Sequence, residues 1–278
     1  MNTIQGLVAA LAFSSALVAA VPALAQQHAV GGAAVSSQQD LAKQLANPVA
    51  ALISVPLQGN YDQNIGPARD GTRWSLNIQP VIPIELNADW NVISRTIVPV
   101  VRQDEAVPGA GSQFGLGDTV QSLFFSPKVP SGGWIWGVGP VVALPTGTDD
   151  LLGTKKWGAG PTGVALKQDG PWTYGALVNH LWSVAGSDSR PGYSNTFLQP
   201  FVTYTTPTAW SFALQTESVY DWKNEQWAVP VGVVVSKVTK LGDQLVSVGG
   251  GVRYWAETPD SGPHGLGFRL VFTLLFPK

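Results

Sequence analysis

The residues that could carry chemistry are few, and their spacing limits what they can do. The three histidines, His28, His180 and His264, are widely separated and make no metal-ligand spacing. Cysteine is absent, which excludes thiolate metal sites, thiol nucleophiles and disulfides. His180-Leu181-Trp182-Ser183 sets a base and a hydroxyl three residues apart. On a strand these point to opposite faces, so they miss the contact that nucleophilic catalysis requires. Gly158-Ala159-Gly160-Pro161-Thr162-Gly163 spells the G-x-G-x-x-G of a dinucleotide loop. Lys155-Lys156-Trp157 before it is no buried strand and no helical pattern follows, so glycines crowding a wall of strands are the better reading. No catalytic residue, cofactor site or metal site emerges, and the expectation is a protein that is not an enzyme.

What remains is a set of charged residues standing among alternating apolar ones. Glu85, Glu217 and Glu257 share strand parity with Arg73, Arg253 and Arg269, and Arg95 and Asp118 join them. A shared face is useful only if the chain forms strands that turn it towards one interior.

The composition favours that. The chain has 278 residues, 45% hydrophobic, with only 12% charged, about half the globular norm of ~25%. So much apolar and aromatic matter excludes disorder. Glycine (31) and proline (21) exclude long helices and coiled coils. The net charge of −2 offers no footprint for nucleic acid. Such a low charge density suits a membrane better than water.

Leu7 to Val21 is nearly all apolar and is followed by Pro22 and Ala23-Leu24-Ala25, a small-x-small site. This is the pattern of a signal peptide over 1–25, cleaved before Gln26. Beyond it no run reaches the ~18 residues of a spanning helix. A membrane protein with that restriction must be a closed β-barrel, since every backbone polar group has to be paired in hydrocarbon.

Residues 26–50 are polar and small, with Ser37 and Asp40 spaced as a capping box and Leu41 and Leu45 four apart. A short helix or hatch is expected there. From Leu52 the period becomes two. Trp74, Leu76, Ile78, Ile82, Ile84 and Leu86 alternate with Ser75, Asn77, Gln79 and Glu85. The last run sets Phe268, Leu270, Phe272, Leu274 and Phe276 against Arg269 and Thr273. About twelve runs of membrane-strand length are expected within 51–278: 52–61, 73–86, 90–102, 114–126, 134–145, 157–167, 172–183, 196–206, 210–221, 226–238, 245–257 and 265–276. Ten or fourteen strands also fit. Every second connection is mostly long and polar, and the intervening ones are mostly tighter, as in bacterial outer-membrane barrels. Tryptophans at strand ends suit interfacial girdles. Pro80, Pro140, Pro161, Pro200 and Pro230 fall inside strands, where each deletes a ladder bond. Strands four and six alternate poorly and are glycine-rich, so bulges are expected there. A soluble β-sandwich is the alternative, but it would have shorter strands and more surface charge.

Several segments resemble a known family. Gln113-Phe114-Gly115-Leu116-Gly117-Asp118, Phe124-Phe125-Ser126-Pro127, Thr148-Asp149-Asp150-Leu151-Leu152-Gly153, Gly170-Pro171-Trp172-Thr173-Tyr174-Gly175 and Gly251-Val252-Arg253-Tyr254-Trp255 are similar to a bacterial family of outer-membrane transporters. That family is labelled for the meta-pathway of phenol degradation, and its members are sometimes misnamed neuromedin U. The resemblance covers Leu45 to Lys278 and implies a barrel distantly like the long-chain fatty-acid transporter of outer membranes. Asn47-Pro48-Val49 resembles the Asn-Pro-Ala turn of that transporter's hatch, with Val in place of Ala. The resemblance also implies that Phe276, an aromatic near the end of the last strand, is read by the barrel-insertion machinery, although Pro277-Lys278 after it depart from the pattern.

The outer-membrane phospholipases are an enzymatic rival, because they too are twelve-stranded barrels. They use His-x-Ser on one strand face, which His180-x-x-Ser183 does not match. Two functions remain: a passive channel or transporter for small, aromatic or hydrophobic molecules, or a closed structural or adhesive barrel. The partners expected are outer-membrane lipid, the insertion machinery and a small-molecule solute, in the outer membrane of a Gram-negative bacterium. The charges Arg73, Glu85, Arg95, Asp118, Glu217, Arg253, Glu257 and Arg269 are expected to line the lumen, either selecting solute or pairing to rigidify the wall. The even strand count returns the chain to its starting side. Protease or tag accessibility on intact cells should therefore find 146–156 and 184–195 outside, whereas exposure of 168–171 would invert the topology.

Overall fold

The computed structural model describes residues 37–277. The expected signal peptide and residues 26–36 of the N-terminal segment lie outside them. The described chain is an all-β closed barrel of twelve antiparallel strands with one short helix. In order these are Ile53–Ile65; Gly71–Ile78 continued by Val81–Glu85; Trp90–Asp104; Ser112–Leu116 continued by Thr119–Pro127; Trp134–Leu144; Lys156–Asp169; Trp172–Gly186; Ser194–Thr205; Trp210–Thr216 continued by Ser218–Asp221; Gln226–Leu241; Gln244–Glu257; and Gly265–Phe276. Each pairs with its sequence neighbour, and the first closes on the last from Ile53↔Phe276 to Tyr61↔Phe268.

The period-two pattern sets the two faces. In the last strand Leu266, Phe268 and Leu270 are exposed on the outer wall, while Gly267, Arg269 and Thr273 are buried inside. The outer tryptophans Trp74, Trp157, Trp182 and Trp222 stand towards the end with the longer connections, and Trp134, Trp172 and Trp210 towards the other.

Three strands are interrupted, and each interruption lies beside a proline. The N–H of Gln79 donates to the carbonyl of Pro56 (2.9 Å), that of Gly117 to Pro99 (2.9 Å) and that of Glu217 to Pro230 (3.4 Å). The proline accepts but has no N–H to return, so regular pairing lapses at that point and re-aims the neighbouring side chains. Pro140 and Pro161 are register partners, which gathers two missing donors into one pair. The irregularities expected in strands four and six are the break at Gly117-Asp118 and a bulge at Trp157/Gly158. At Gly160 and Gly251 the walls pass so close that a Cβ would run into the carbonyl oxygens of His180 and Val233.

The helix, Gln38–Leu45, begins with a capping box: Asp40 N–H donates to Ser37 Oγ (3.1 Å) and Ser37 N–H to the Asp40 carboxylate (3.2 Å). Its buried face, Leu41 and Ala42, packs on Ala209, Val238 and Leu275 at the short-turn end of the barrel. A turn follows in which Asn47 Oδ1 accepts from Val49 N–H (3.0 Å). It drives Val49 against Ile93, Phe124, Val164, Leu166 and Leu177 on the inner wall. Val49→Ala should leave a void there and cost about 1–3 kcal/mol, read as a lower heat-modification midpoint.

Candidate functional site in the barrel lumen

Inside the wall lie two cavities, of about 270 Å³ towards the helix and about 310 Å³ towards the longer connections. The first is bounded by Leu45, Asn47 and Pro48 of the N-terminal segment. Gln58, Gln79, Arg95 and Gln199 line both, so they form the waist between them.

Charges gather around this waist. Glu217 stands at the break in the ninth strand, between Thr216 and Ser218. Both its oxygens accept from Arg269, at 2.8 and 2.7 Å, and Arg269 Nε donates to Asn60 Oδ1 at 2.8 Å. Arg269 is the buried partner of this bidentate pair, with its side chain 5% exposed, while Glu217 borders the cavity and is 23% exposed. Higher in the lumen Arg253 makes a bidentate pair with Asp62, whose carboxylate also accepts from Trp255 Nε1 (2.9 Å). Arg73 is the register partner of Asp62 and donates from Nε to Gln103 Oε1 (3.1 Å); Gln103 in turn donates to Gln113 (2.9 Å). Arg95 donates from Nη2 to Gln79 Oε1 (2.9 Å).

The remaining expected positions lie elsewhere. Glu85 is at the short-turn rim, where Lys128 Nζ approaches to 2.7 Å. Glu257 is exposed at the opposite rim. Asp118 holds a connection in place, accepting from Gly147 N–H (3.1 Å) and from Thr154 N–H and Oγ1 (2.7 Å each). The same connection carries Asp150, which pairs with Lys155 at 2.5 Å. Hydrogen bonding and attraction from Lys155 hold its carboxyl below the ordinary value, so this tie is present at neutral pH and lost as acid protonates it. Phe276 closes the seam opposite Ile53.

Asp62 and the lumen amides other than Gln79 escaped the sequence reading. Strand one runs to Ile65 rather than stopping near 61, and the series Gln58, Asn60, Asp62 against Leu57 and Tyr61 carried that signal. His180 does not meet Ser183, but it does meet hydroxyls of the adjoining strand. Its Nδ1 lies 2.7 Å from Thr196 Oγ1 and its Nε2 lies 3.2 Å from Ser194 Oγ. Trp222 Nε1 donates to the same Thr196 hydroxyl (2.8 Å) and the imidazole stacks near Trp182. Cross-strand contacts of this kind depend on register, which local spacing does not encode. Among the described residues no group of His, Cys, Asp or Glu could hold a metal ion.

No family model matches the chain and no curated protein is similar to it, so the likeness to phenol-pathway transporters and to the fatty-acid transporter has no support from those comparisons. Solved structures do match. An outer membrane channel from Pseudomonas putida F1 is 13% identical, with TM-score 0.64, over 81% of this chain and 96% of that one. The NanC porin is 10% identical, with TM-score 0.50, over 81% of this chain and all of its own. The fold is therefore that of outer-membrane barrels. The expectation that the chain is not an enzyme is corrected: Escherichia coli outer membrane phospholipase A also matches, at 12% identity and TM-score 0.48, over 87% of this chain and 99% of its own.

The Glu217–Arg269 pair has a direct test. Glu217→Ala strands a buried guanidinium and should cost about 3–5 kcal/mol, whereas Glu217→Leu combined with Arg269→Met should recover most of it. The heat-modification midpoints of the two variants measure this.

Proposed function

We propose that the barrel is an outer-membrane channel for small solutes and that its lumen favours anions. The observation that carries this reading is the charge at mid-lumen. Arg95, Arg269 and Glu217 line the two cavities, and Arg73, Arg253 and Asp62 stand above them, so among the described residues this set holds four arginines against two carboxylates, an excess of two positive charges. A fixed charge inside a narrow wall of low dielectric biases which ion passes. The fold shared with an outer membrane channel and a porin supports the same reading.

A closed structural barrel is the second reading, favoured by the N-terminal segment, which fills the short-turn end through Leu41, Ala42 and Val49. Planar-bilayer recordings on the mature chain separate the two. A channel shows unitary conductance that rises when residues 26–50 are removed, whereas a closed barrel shows none in either form. The reversal potential in a KCl gradient should lie on the chloride side. Arg253→Ala should move it towards potassium, because Asp62 then faces the lumen without its main counter-charge. An unchanged potential, with a lowered heat-modification midpoint, would assign Arg253 to pairing alone.

A further inference from the structure

The larger cavity is layered, and its layers describe a ligand. On three strands a polar inward residue is followed, one inward step towards the long connections, by an apolar one: Arg95 by Ile97, Gln199 by Phe197, and Glu217 by Val219. On these three strands a polar floor therefore lies beneath an apolar collar, which Asn179, the register partner of Phe197, interrupts on the neighbouring strand. The collar is topped on the eighth strand by Asn195, whose Oδ1 is buried and has no hydrogen-bond partner.

The floor contains a cation with unused capacity. Arg253 and Arg269 each grip a carboxylate with two nitrogens, and Arg73 is the register partner of Asp62. Arg95 makes one side-chain hydrogen bond, to a neutral amide, and its nearest carboxylate, Glu217, has both oxygens taken by Arg269. A guanidinium carries five N–H donors in a planar fork suited to carboxylate.

We propose that this cavity binds a single-ring hydroxy-carboxylic acid, with its carboxylate on Arg95, its ring within the Ile97–Phe197–Val219 collar and its hydroxyl donating to Asn195. The proposal rests on the channel reading and names the class of solute that the channel recognises. Size agrees with it. The volume of about 310 Å³ is at the small end of the ~300–1,000 Å³ range of ligand pockets, which suits one ring rather than a long chain.

The probe is radiolabelled 4-hydroxybenzoate in equilibrium dialysis against the detergent-solubilised mature barrel, paired with current block by the same compound in planar bilayers. Benzoate, which lacks the hydroxyl, should bind more weakly; benzyl alcohol, which lacks the carboxylate, and acetate, which lacks both ring and hydroxyl, weaker still. Arg95→Gln, which removes the charge and keeps a polar side chain, should weaken 4-hydroxybenzoate by about 10–100-fold. Arg95→Lys should restore part of that. Asn195→Ala should abolish the preference for 4-hydroxybenzoate over benzoate while leaving benzoate binding in place, a change that loss of folding cannot mimic. Chloride conductance with no saturable, Arg95-dependent binding would overturn the site and leave the channel standing. Saturable binding without any conductance would sustain the site and overturn the channel. Equal binding of acetate and 4-hydroxybenzoate would also overturn the proposal, by reducing Arg95 to an unspecific anion contact.

Discussion

Backbone pairing is the constraint from which the rest of this structure follows. A wall whose outer face carries Leu266, Phe268 and Leu270 has apolar surroundings as its natural environment, where an unpaired N–H or C=O costs several kcal/mol. No strand edge can be left open under that condition. The seam between Ile53–Tyr61 and Phe268–Phe276 removes the edge, and in doing so fixes the register of the whole wall. Once register is fixed, side-chain parity is no longer free. Asn60 and Arg269 must face the lumen together because Leu270 and Phe268 on either side must face out. The interior charges are thus a consequence of closure as much as of selection for charge.

Closure also explains why the irregular points matter. A barrel of twelve strands lies between the eight-stranded kind, filled by its own side chains, and the sixteen-stranded kind, which holds an open channel. Its lumen is narrow enough that a few residues determine what space remains. Prolines 56, 99 and 230 each accept a hydrogen bond that they cannot return, and the partner strand breaks opposite them. Two of those breaks place Gln79 and Glu217 beside the cavities. Proline in a strand, an apparent fault in the sequence pattern, is here the device that turns polar groups towards the interior.

The architecture was legible in the sequence because its signal is local and repeated: period-two alternation, strand lengths, turn residues and the capping box at Ser37-Asp40 are all short-range features. The lumen was only half legible. Parity brought out Arg253, Arg269 and Glu217, but it could not say which acid meets which base, because Glu217 and Arg269 meet across the interior from strands that are not neighbours. Asp62 was hidden by a strand that extends four residues beyond its apolar run. Gln79 showed in the alternation of its strand, but Gln199 and Asn195 gave no signal, since on a strand they look like any solvated residue until closure puts them inside. The hydroxyls around His180, on the outward parity, were hidden because they meet it across a register that local spacing does not encode.

The balance of interior charge bears on whether the lumen merely fills. Buried ion pairs are costly to assemble, and well-packed apolar residues of similar volume often serve a core as well or better. A barrel selected only for a solid interior would therefore tend towards full pairing or towards apolar packing. The short-turn half follows the apolar course: Val49, Ile93, Phe124, Leu166 and Leu177 form a dry cluster with no charge. The waist above it does neither. Glu217 is fully committed to Arg269, and Arg95 is left beside it with a neutral amide and open cavity on both sides. Packing makes no use of a guanidinium in that position, whereas the proposed anion channel would.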